Sequence, residues 1–256
     1  MNRPILVMAA VLAALFAGLP AMHSAGADPG RQPCEPVSFE GHTYTLCEAP
    51  LSRFDIRIFW RRPDGAPYGY LRALPAANKK GGRLAFALNG GMFHPDYSPV
   101  GLYIEEGREL VRANTSRGPG NFHLKPNGVF YAGEGGAGVL ETGAFLKQKP
   151  KAQFATQSGP MLVIDGKLHP RIAKASASAK MRDGVCVRDG AAYFAISEEE
   201  VPFDTFERLF RDRLKCRNAL FLDGGSAPAL YVPSARQGNN FLSLGPMIAV
   251  YEKRRR

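Results

Sequence analysis

Hydrophobic and polar residues alternate along this chain mainly with a period of two residues, which is the period of a β-strand. Phe54, Ile56 and Ile58 are separated by charged residues, and this pattern predicts a half-buried strand. Segments 101–105 and 128–131 show similar short apolar patterns, so each is also expected to be a strand. The pattern indicates a domain that consists largely of strands.

Two further segments combine strand-like runs with turn residues and predict β-hairpins. The first spans 161–168, with its turn at Asp165-Gly166. The second spans 184–196, with its turn at the Arg-Asp-Gly sequence of 188–190. Hairpins place consecutive strands side by side and antiparallel, so these segments favour an antiparallel arrangement.

Helical periodicity is limited to two segments. From about Phe203 to Lys215, apolar residues lie on one helical face and charged residues on the other, which predicts an amphipathic helix. A shorter helix is expected over 72–80. Many hairpins with few helices predict an α+β fold, a single domain on a mixed or antiparallel sheet core. The small number of helices argues against a doubly wound dinucleotide-binding fold, which needs a helix after most of its strands.

Two continuous apolar runs end in the same way. The run 84–88 is followed by Asn89 and two glycines, and the run 219–222 is followed by Asp223 and two glycines. Such runs predict buried strands, and glycine permits positive φ and close approach of a ligand to the backbone. The repetition predicts an active-site floor that contains Asn89 and Asp223, although Asn-Gly and Asp-Gly also form ordinary tight turns.

The N-terminal segment predicts export. Arg3 precedes an apolar run over 5–19, and Ser-Ala-Gly-Ala follows at 24–27, as in a cleavable signal peptide. We therefore expect residues 1–27 to be a signal peptide and 28–256 to be the domain, located in the periplasm or secreted. An uncleaved anchor is the alternative. No other segment of the sequence is apolar enough over a sufficient length to cross a bilayer, so no integral membrane segment is expected after cleavage.

The four cysteines would then lie in an oxidising compartment, which favours disulfides over free thiols. Cys34 and Cys47 flank a short segment with a turn signal at 40–42, so they are expected to close a local hairpin. Cys186 and Cys216 lie at the edges of strand-like runs. Four cysteines allow three pairings, and we favour 34–47 with 186–216. No Cys-x-x-Cys motif suggests a metal site, and no metal is expected at the cysteines.

The formal net charge is +10, which suits anionic partners such as phosphorylated or otherwise anionic glycans, lipopolysaccharide or anionic lipid. The basic residues are scattered and the chain is expected to be exported, so nucleic acid is not expected as a partner. No cofactor is predicted. A divalent cation beside Asp223 stays open, although no spacing of metal ligands demands one.

Six segments follow one another in order over most of 28–256. They are ALNGGMF (87–93), PVGLYIEEGREL (99–110), NFHLKPNGVFY (121–131), ATQSGPMLVIDGKLHP (155–170), KMRDGVCV (180–187) and NALFLDGGSAPALY (218–231). Together these segments resemble the phosphodiester glycosidase domain family. That family includes the lysosomal-pathway uncovering enzyme, which removes N-acetylglucosamine from a phosphodiester on mannose, and many exported bacterial members of unassigned substrate. The resemblance implies an exported hydrolase that cleaves a sugar-1-phosphodiester, or a related glycosidic bond, in envelope or extracellular glycans.

Three residues in these segments are the catalytic candidates. Arg182 is expected to bind the phosphate, because a guanidinium matches phosphate with two parallel hydrogen bonds; Lys180 and Arg171 are nearby substitutes. Asp223 is expected to act as base, nucleophile or stabiliser of an oxocarbenium-like sugar, and the sequence does not choose among these roles. Asn89 is expected to bind a sugar hydroxyl or to orient a water molecule.

The other candidates are expected to line the substrate site, and no second carboxylate or proton carrier is singled out. Ser158 lacks the Gly-x-Ser-x-Gly elbow, which argues against a serine hydrolase. The expected backbone and hydroxyl donors to phosphate oxygens are Gly90, Gly91, Gly224, Gly225 and Ser226. The other substrate-binding candidates are Lys180, His94, Asn127, Gln157 and Ser158. The carboxylates considered are Asp96, Glu105, Asp165 and Asp183, and the histidines considered as proton carriers are His94 and His123.

A second hypothesis is that the protein binds an anionic glycan but does not cleave it. In this alternative the protein is a non-catalytic periplasmic module that binds an anionic polysaccharide. The basic charge balance and the lack of a convincing second carboxylate favour it.

Overall fold

The structure is a computed structural model. It describes residues 32–74, 82–172, 178–233, 235–236 and 242–254. The expected signal peptide, 1–27, lies outside the described residues, as does most of the expected helix over 72–80. The described residues at the start of that range overlap a 3₁₀ turn, Leu71–Ala73. No helix in the described ranges is long and apolar enough to cross a membrane.

The described residues form sixteen strands with few helices, and every strand pair is antiparallel. This agrees with the expected α+β class, although the fold is richer in strands than that label suggests. The strands are β1 (Cys34–Phe39), β2 (His42–Pro50), β3 (Phe54–Phe59), β4 (Leu84–Asn89), β5 (Tyr103–Glu105), β6 (Arg108–Val111), β7 (Gly128–Gly133), β8 (Gly136–Glu141), β9 (Phe154–Ser158), β10 (Met161–Ile164), β11 (Lys167–Leu168), β12 (Arg182–Arg188), β13 (Ala191–Ser197), β14 (Ala219–Gly224), β15 (Leu230–Tyr231) and β16 (Met247–Glu252).

The strands are arranged in three sheets. A seven-stranded sheet has the order β1-β2-β13-β12-β14-β10-β11, a four-stranded sheet the order β15-β4-β16-β3, and a five-stranded sheet the order β6-β5-β9-β7-β8. Phe194 of the first sheet makes edge-to-face contacts with Phe86 of the second at 5.6 Å and Phe130 of the third at 5.7 Å, measured between ring centroids. The three sheets therefore share one apolar core, in which aromatic burial and edge-on ring packing stabilise the fold.

Both predicted hairpins are present, and their turn residues explain why. Asp165-Gly166 joins β10 to β11, and Asp189-Gly190 joins β12 to β13. All four of these residues have positive φ, between 47° and 79°, which suits the tight turns that join antiparallel strands. Strands are likewise present over the segments predicted near 54–58, 101–105 and 128–131.

Of the helix expected from about Phe203 to Lys215, only the first half is an α-helix. Helix α1 is Thr142–Gln148, and helix α2 is Phe203–Arg208, after which Leu209–Arg213 form a π-helical turn. The wider turn directs Leu209, Phe210 and Leu214 all into the core. The 3.6-residue pattern of the sequence did not anticipate this change, because the packing of these side chains on the sheet determines it.

Both favoured disulfides are present. Cys34 and Cys47 are register partners across the β1–β2 hairpin, and their bond closes its open end. Cys186 lies on β12, and its bond to Cys216 ties the segment after the π-helical turn to the seven-stranded sheet. The second bond thus fastens the helical segment beside the strands that carry the candidate site.

Candidate functional site

The candidate site lies where the start of β12 meets the end of β14 in the seven-stranded sheet. In their antiparallel register Arg182 is opposite Gly224 and Asp183 is opposite Asp223. The ladder shifts between Asp183 and Gly184, as at a β-bulge, and such irregularities redirect side chains at functional strand ends. Two candidates far apart in the sequence, Arg182 and Asp223, therefore come together at this strand end.

Both residues line one cavity of about 220 Å³. Lys180, Gly224 and Gly225, which were also expected at the site, line it too, and Asn121, Ser178 and Phe203 complete it. The last three were not anticipated from the sequence. Asn121 was signalled only by its place at the start of the segment NFHLKPNGVFY, and no pattern pointed to Ser178 or Phe203.

The Arg182 guanidinium is held by neutral groups, and one of its nitrogen atoms is left for a ligand. Its Nε donates to the Val201 carbonyl oxygen at 2.9 Å, and Nη2 donates to the Ser178 carbonyl oxygen at 2.8 Å. The guanidinium lies 4.1 Å from the centroid of the Phe203 ring. Nη1 has no hydrogen-bond partner in the described part of the chain. Burial lowers the pKa of Arg182 to about 10, so it stays charged at neutral pH.

Asp223 presents one carboxylate oxygen to the cavity. Its Oδ1 accepts a hydrogen bond from the Gly224 N–H at 2.7 Å. Its Oδ2 accepts none from the described residues. Burial raises the pKa of Asp223 to about 6, against the opposing effect of the Gly224 hydrogen bond. At neutral pH the group is mostly ionised, yet its pKa is close enough for proton transfer to be accessible.

Asp183 is a second carboxyl group directly behind Asp223. It is fully buried, and its Oδ1 accepts a hydrogen bond from the backbone N–H of Asp223 at 2.9 Å. Burial first, and the charge of Asp223 second, raise the pKa of Asp183 well above its ordinary value, so Asp183 is neutral when Asp223 is ionised. Among the described residues no group of three or more His, Cys, Asp or Glu side chains could hold a metal ion.

Asn89 lies behind the site rather than in its lining. It is 1% exposed at the end of β4, and its Oδ1 accepts a hydrogen bond from the Ala229 N–H at 2.9 Å. The Asn89 amide approaches Asp183 and lowers its pKa, opposing the effect of burial. Asn89 Nδ2 and Asp183 Oδ2 are both buried without a direct hydrogen-bond partner in the described residues. The contact of Asn89 is therefore with the buried carboxyl group that supports Asp223.

The four glycines after the two apolar runs have backbone N–H groups that already donate hydrogen bonds to other atoms of the protein. Gly90 donates to the Pro246 carbonyl oxygen and Gly91 to the Thr156 hydroxyl. The Gly224 N–H donates to Asp223, and the Gly225 N–H donates to the Met181 carbonyl oxygen. A Cβ on Gly91 would lie 2.5 Å from the Gln157 carbonyl oxygen, so close packing explains this glycine.

The remaining expected residues divide into buried and exposed groups. Gln157 is buried and uses its amide in four hydrogen bonds, to Leu102, Asn114 and Thr142. Asn127 is buried and bonded to Phe122 and Thr142, and the Ser158 hydroxyl donates to Leu222 O. Ser226 and His94 are exposed. None of these five is in the lining of the cavity beside Asp223.

Comparison with known proteins places this geometry in a family. The sequence matches the phosphodiester glycosidase family over residues 82–251, a range that contains all the residues of the cavity. It is 38% identical over 170 residues to the uncharacterized protein YigE of Escherichia coli (strain K12), and this match covers 66% of each chain. The chain thus spans about two thirds of the length of that relative.

Solved structures with little sequence identity share the fold. The catalytic domain of zebrafish N-acetylglucosamine-1-phosphodiester alpha-N-acetylglucosaminidase, auto-inhibited by its pro-peptide, has a TM-score of 0.61 at 13% identity, over 86% of this chain and 82% of that one. A putative exported protein from Burkholderia pseudomallei has a TM-score of 0.53 at 9% identity, over 82% of this chain and 74% of that one. With the sequence match over most of the described residues, the chain belongs to the phosphodiester glycosidase family.

Proposed function

We propose that this protein is an exported hydrolase that cleaves a glycosyl phosphodiester in envelope or extracellular glycans. One observation carries the proposal. A cavity of about 220 Å³ contains a buried arginine with an uncommitted N–H group and an aspartate with an uncommitted carboxylate oxygen. A phosphodiester on a sugar needs both a cation for the phosphate and a carboxylate for the sugar.

Arg182 binds the phosphate in this proposal. Its guanidinium is desolvated and held in place by the Val201 and Ser178 carbonyl oxygens, so it need not reorganise when the anion arrives. The two hydrogen-bond partners are neutral, and the Asp204 carboxylate stabilises the charged form, opposing the lowering of the Arg182 pKa by burial. Lys180 lies at the edge of the cavity, where its ammonium is 3.9 Å from Glu200, and supplies a second, more mobile positive charge.

Asp223 acts on the anomeric carbon. In its ionised form the free oxygen stabilises the positive charge that develops on the sugar, either directly as nucleophile or through an activated water molecule. A phosphate monoester is a good leaving group and needs little protonation, so a second acid in the cavity is not required. Asp183, neutral and bonded to the Asp223 backbone, positions Asp223, and Asn89 in turn contacts Asp183.

Export is supported by the two disulfides, because such bonds form and persist in oxidising compartments. The signal peptide proposed for residues 1–27 accounts for how the chain would reach such a compartment. N-terminal sequencing of the protein recovered from a bacterial periplasm tests this part, and the expected first residue is Asp28. A mature protein that still begins at Met1 would contradict it.

The activity is tested with a synthetic sugar-1-phosphodiester and detection of the released sugar. Asp223→Asn and Arg182→Ala are expected to lose turnover. Asp165→Asn and Arg217→Ala are the matched controls, because these two residues form an exposed ion pair on the surface, outside the cavity lining. If Asp223→Asn folds and turns over the substrate as the unaltered protein does, the proposed site is wrong.

A further inference from the structure

A second and larger cavity, of about 520 Å³, lies outside the site just described. It is formed where β3 faces the β5–β6 hairpin and the start of β9, and none of its lining residues belongs to the cavity beside Asp223. Its volume is within the usual range for pockets that bind small ligands. We call it the arginine cavity, after the four arginines in its lining: Arg57, Arg61, Arg62 and Arg108.

The positive charge of this cavity is only partly neutralised. Two carboxylates, Glu105 and Glu106, face four guanidinium groups. Glu105 accepts a hydrogen bond from the Tyr103 hydroxyl at 2.6 Å. For Arg61, Arg62 and Arg108, no described carboxylate lies within 4.0 Å of the guanidinium nitrogens. An excess of unpaired guanidinium groups in a concave site favours an anionic ligand.

Neutral groups contact two of these arginines, Arg61 closely and Arg62 at a longer distance. The Arg61 guanidinium lies 4.3 Å from the Trp60 ring centroid, and its Nη1 donates to the Gly65 carbonyl oxygen at 2.9 Å. The Arg62 guanidinium lies 6.0 Å from the Tyr68 ring centroid. Aromatic faces and a carbonyl oxygen fix the direction of a cation without cancelling its charge.

The loop that carries both arginines is itself closed by backbone hydrogen bonds. Arg61 forms a bridge with Pro67, and the Arg62 N–H donates to the Ala66 carbonyl oxygen at 2.8 Å. The Asp64 side chain accepts from the Ala66 N–H at 3.0 Å within the same turn. A ligand that binds here therefore meets two cations that extend from an ordered backbone, which reduces the entropic cost of binding.

The floor of the arginine cavity is apolar and aromatic, with Phe59, Trp60, Tyr68 and Phe154 in its lining and Leu110 47% exposed at its edge. Sugar rings present both apolar C–H faces and polar edges, so this lining suits a saccharide better than a small inorganic anion. We infer that the arginine cavity binds an anionic oligosaccharide, through its carboxylate or phosphate groups, and thereby holds a polymeric substrate on the enzyme. The saccharide in this inference rests on the proposed function.

The binding test uses the Asp223→Asn protein, so that no ligand is consumed, and isothermal titration calorimetry. Tetragalacturonate is the acidic probe, maltotetraose the neutral one, and inorganic phosphate the free anion. We expect the acidic tetrasaccharide to bind more tightly than the other two, and its affinity to fall as salt is raised. Adding Arg61→Ala and Arg108→Ala together is expected to weaken binding by about tenfold or more, since charge-assisted hydrogen bonds are lost.

The matched control is the double variant Arg213→Ala/Arg217→Ala, which removes the same charge from exposed positions outside both cavities. It is expected to change the affinity by less than about twofold. Equal binding of the neutral tetrasaccharide, no detectable binding of the acidic one, or equal weakening by the control overturns the inference. Tighter binding of free phosphate than of the acidic tetrasaccharide also overturns it. Because binding is read without turnover, its failure is separate from a failure of the proposed activity.

Discussion

The two cavities contain arginines in opposite physical states. In the cavity beside Asp223, Arg182 is 2% exposed, and burial lowers its pKa to about 10. In the arginine cavity, Arg61, Arg62 and Arg108 are exposed. Burial makes each charge contact stronger and makes each charged group costly to the fold, whereas exposure leaves both effects small. The first cavity is thus suited to stabilising charge during a reaction, and the second to holding a charged chain.

The carboxyl groups differ in the same way. Asp223 and Asp183 are register partners on adjacent strands, yet only Asp223 reaches the cavity. Glu105, in the arginine cavity, is part-buried, and its pKa is raised mainly by that burial. Their different positions relative to solvent therefore give the three groups different roles. Asp223 ionises near neutral pH, Asp183 stays neutral, and Glu105 balances surface cations.

The largest expected effect concerns Asp223. Asp223→Asn keeps an Oδ1 acceptor for the Gly224 N–H but removes the ionised oxygen, so turnover of a sugar-1-phosphodiester is expected to fall by about 10²–10⁴-fold. Initial rates of sugar release measure this. Asp165→Asn replaces an exposed aspartate in a hairpin turn and is expected to leave the rate unchanged. A similar loss in both variants would mean that the cavity beside Asp223 is not the reaction centre.

Part of this site was predictable because strand and turn patterns are local. The two apolar runs gave β4 and β14, and their ends contain Asn89 and Asp223 as expected. The sequence could not show that these ends lie on different sheets, with Asp183 between the two side chains. Alternation along β12 sends Arg182 toward Phe203 and Asp183 into the interior, but which face would be the cavity depends on long-range packing.

The next effect tests the comparison of buried with exposed arginines directly. Arg182→Ala removes two hydrogen bonds to backbone carbonyls and the contact with Phe203, and leaves those carbonyls unpaired. We expect it to lower the free energy of unfolding by about 2–4 kcal/mol. Arg61→Ala removes an exposed group with one hydrogen bond to a carbonyl oxygen and one ring contact, and is expected to cost about 1 kcal/mol or less. Urea titrations followed by circular dichroism measure both, and equal losses would contradict the distinction between the cavities.

Asp223 should also reveal its burial through stability. An aspartate has a pKa near 3.9 in an unfolded chain, and burial raises the pKa of Asp223 to about 6 in the folded protein. The folded state therefore loses stability as pH rises between these values, and the loss persists above them. Asp223→Asn removes this loss, so we expect a gain of about 1–3 kcal/mol at pH 8 and little change at pH 3. If Asp223→Asn were less stable than the parent protein at pH 8, burial of the ionised Asp223 side chain would not be destabilising the fold.

The smallest expected effect is a pKa that does not move. As Asp223 ionises, kcat/KM should rise with pH through about 6. Asp183→Asn keeps an oxygen that can accept the hydrogen bond from the Asp223 N–H. Its new NH₂ group must face the NH₂ group of Asn89, which disturbs the support of Asp223, so the rate is expected to fall. The acidic limb should stay within about 0.3 pH unit, because a neutral Asp183 adds no charge that would repel an ionised Asp223. Rates measured from pH 4 to pH 10 give this limb for both proteins. A limb that moves clearly to lower pH in the variant would show that Asp183 carries a negative charge, and the pair would then be two ionised carboxylates rather than one acid behind one base.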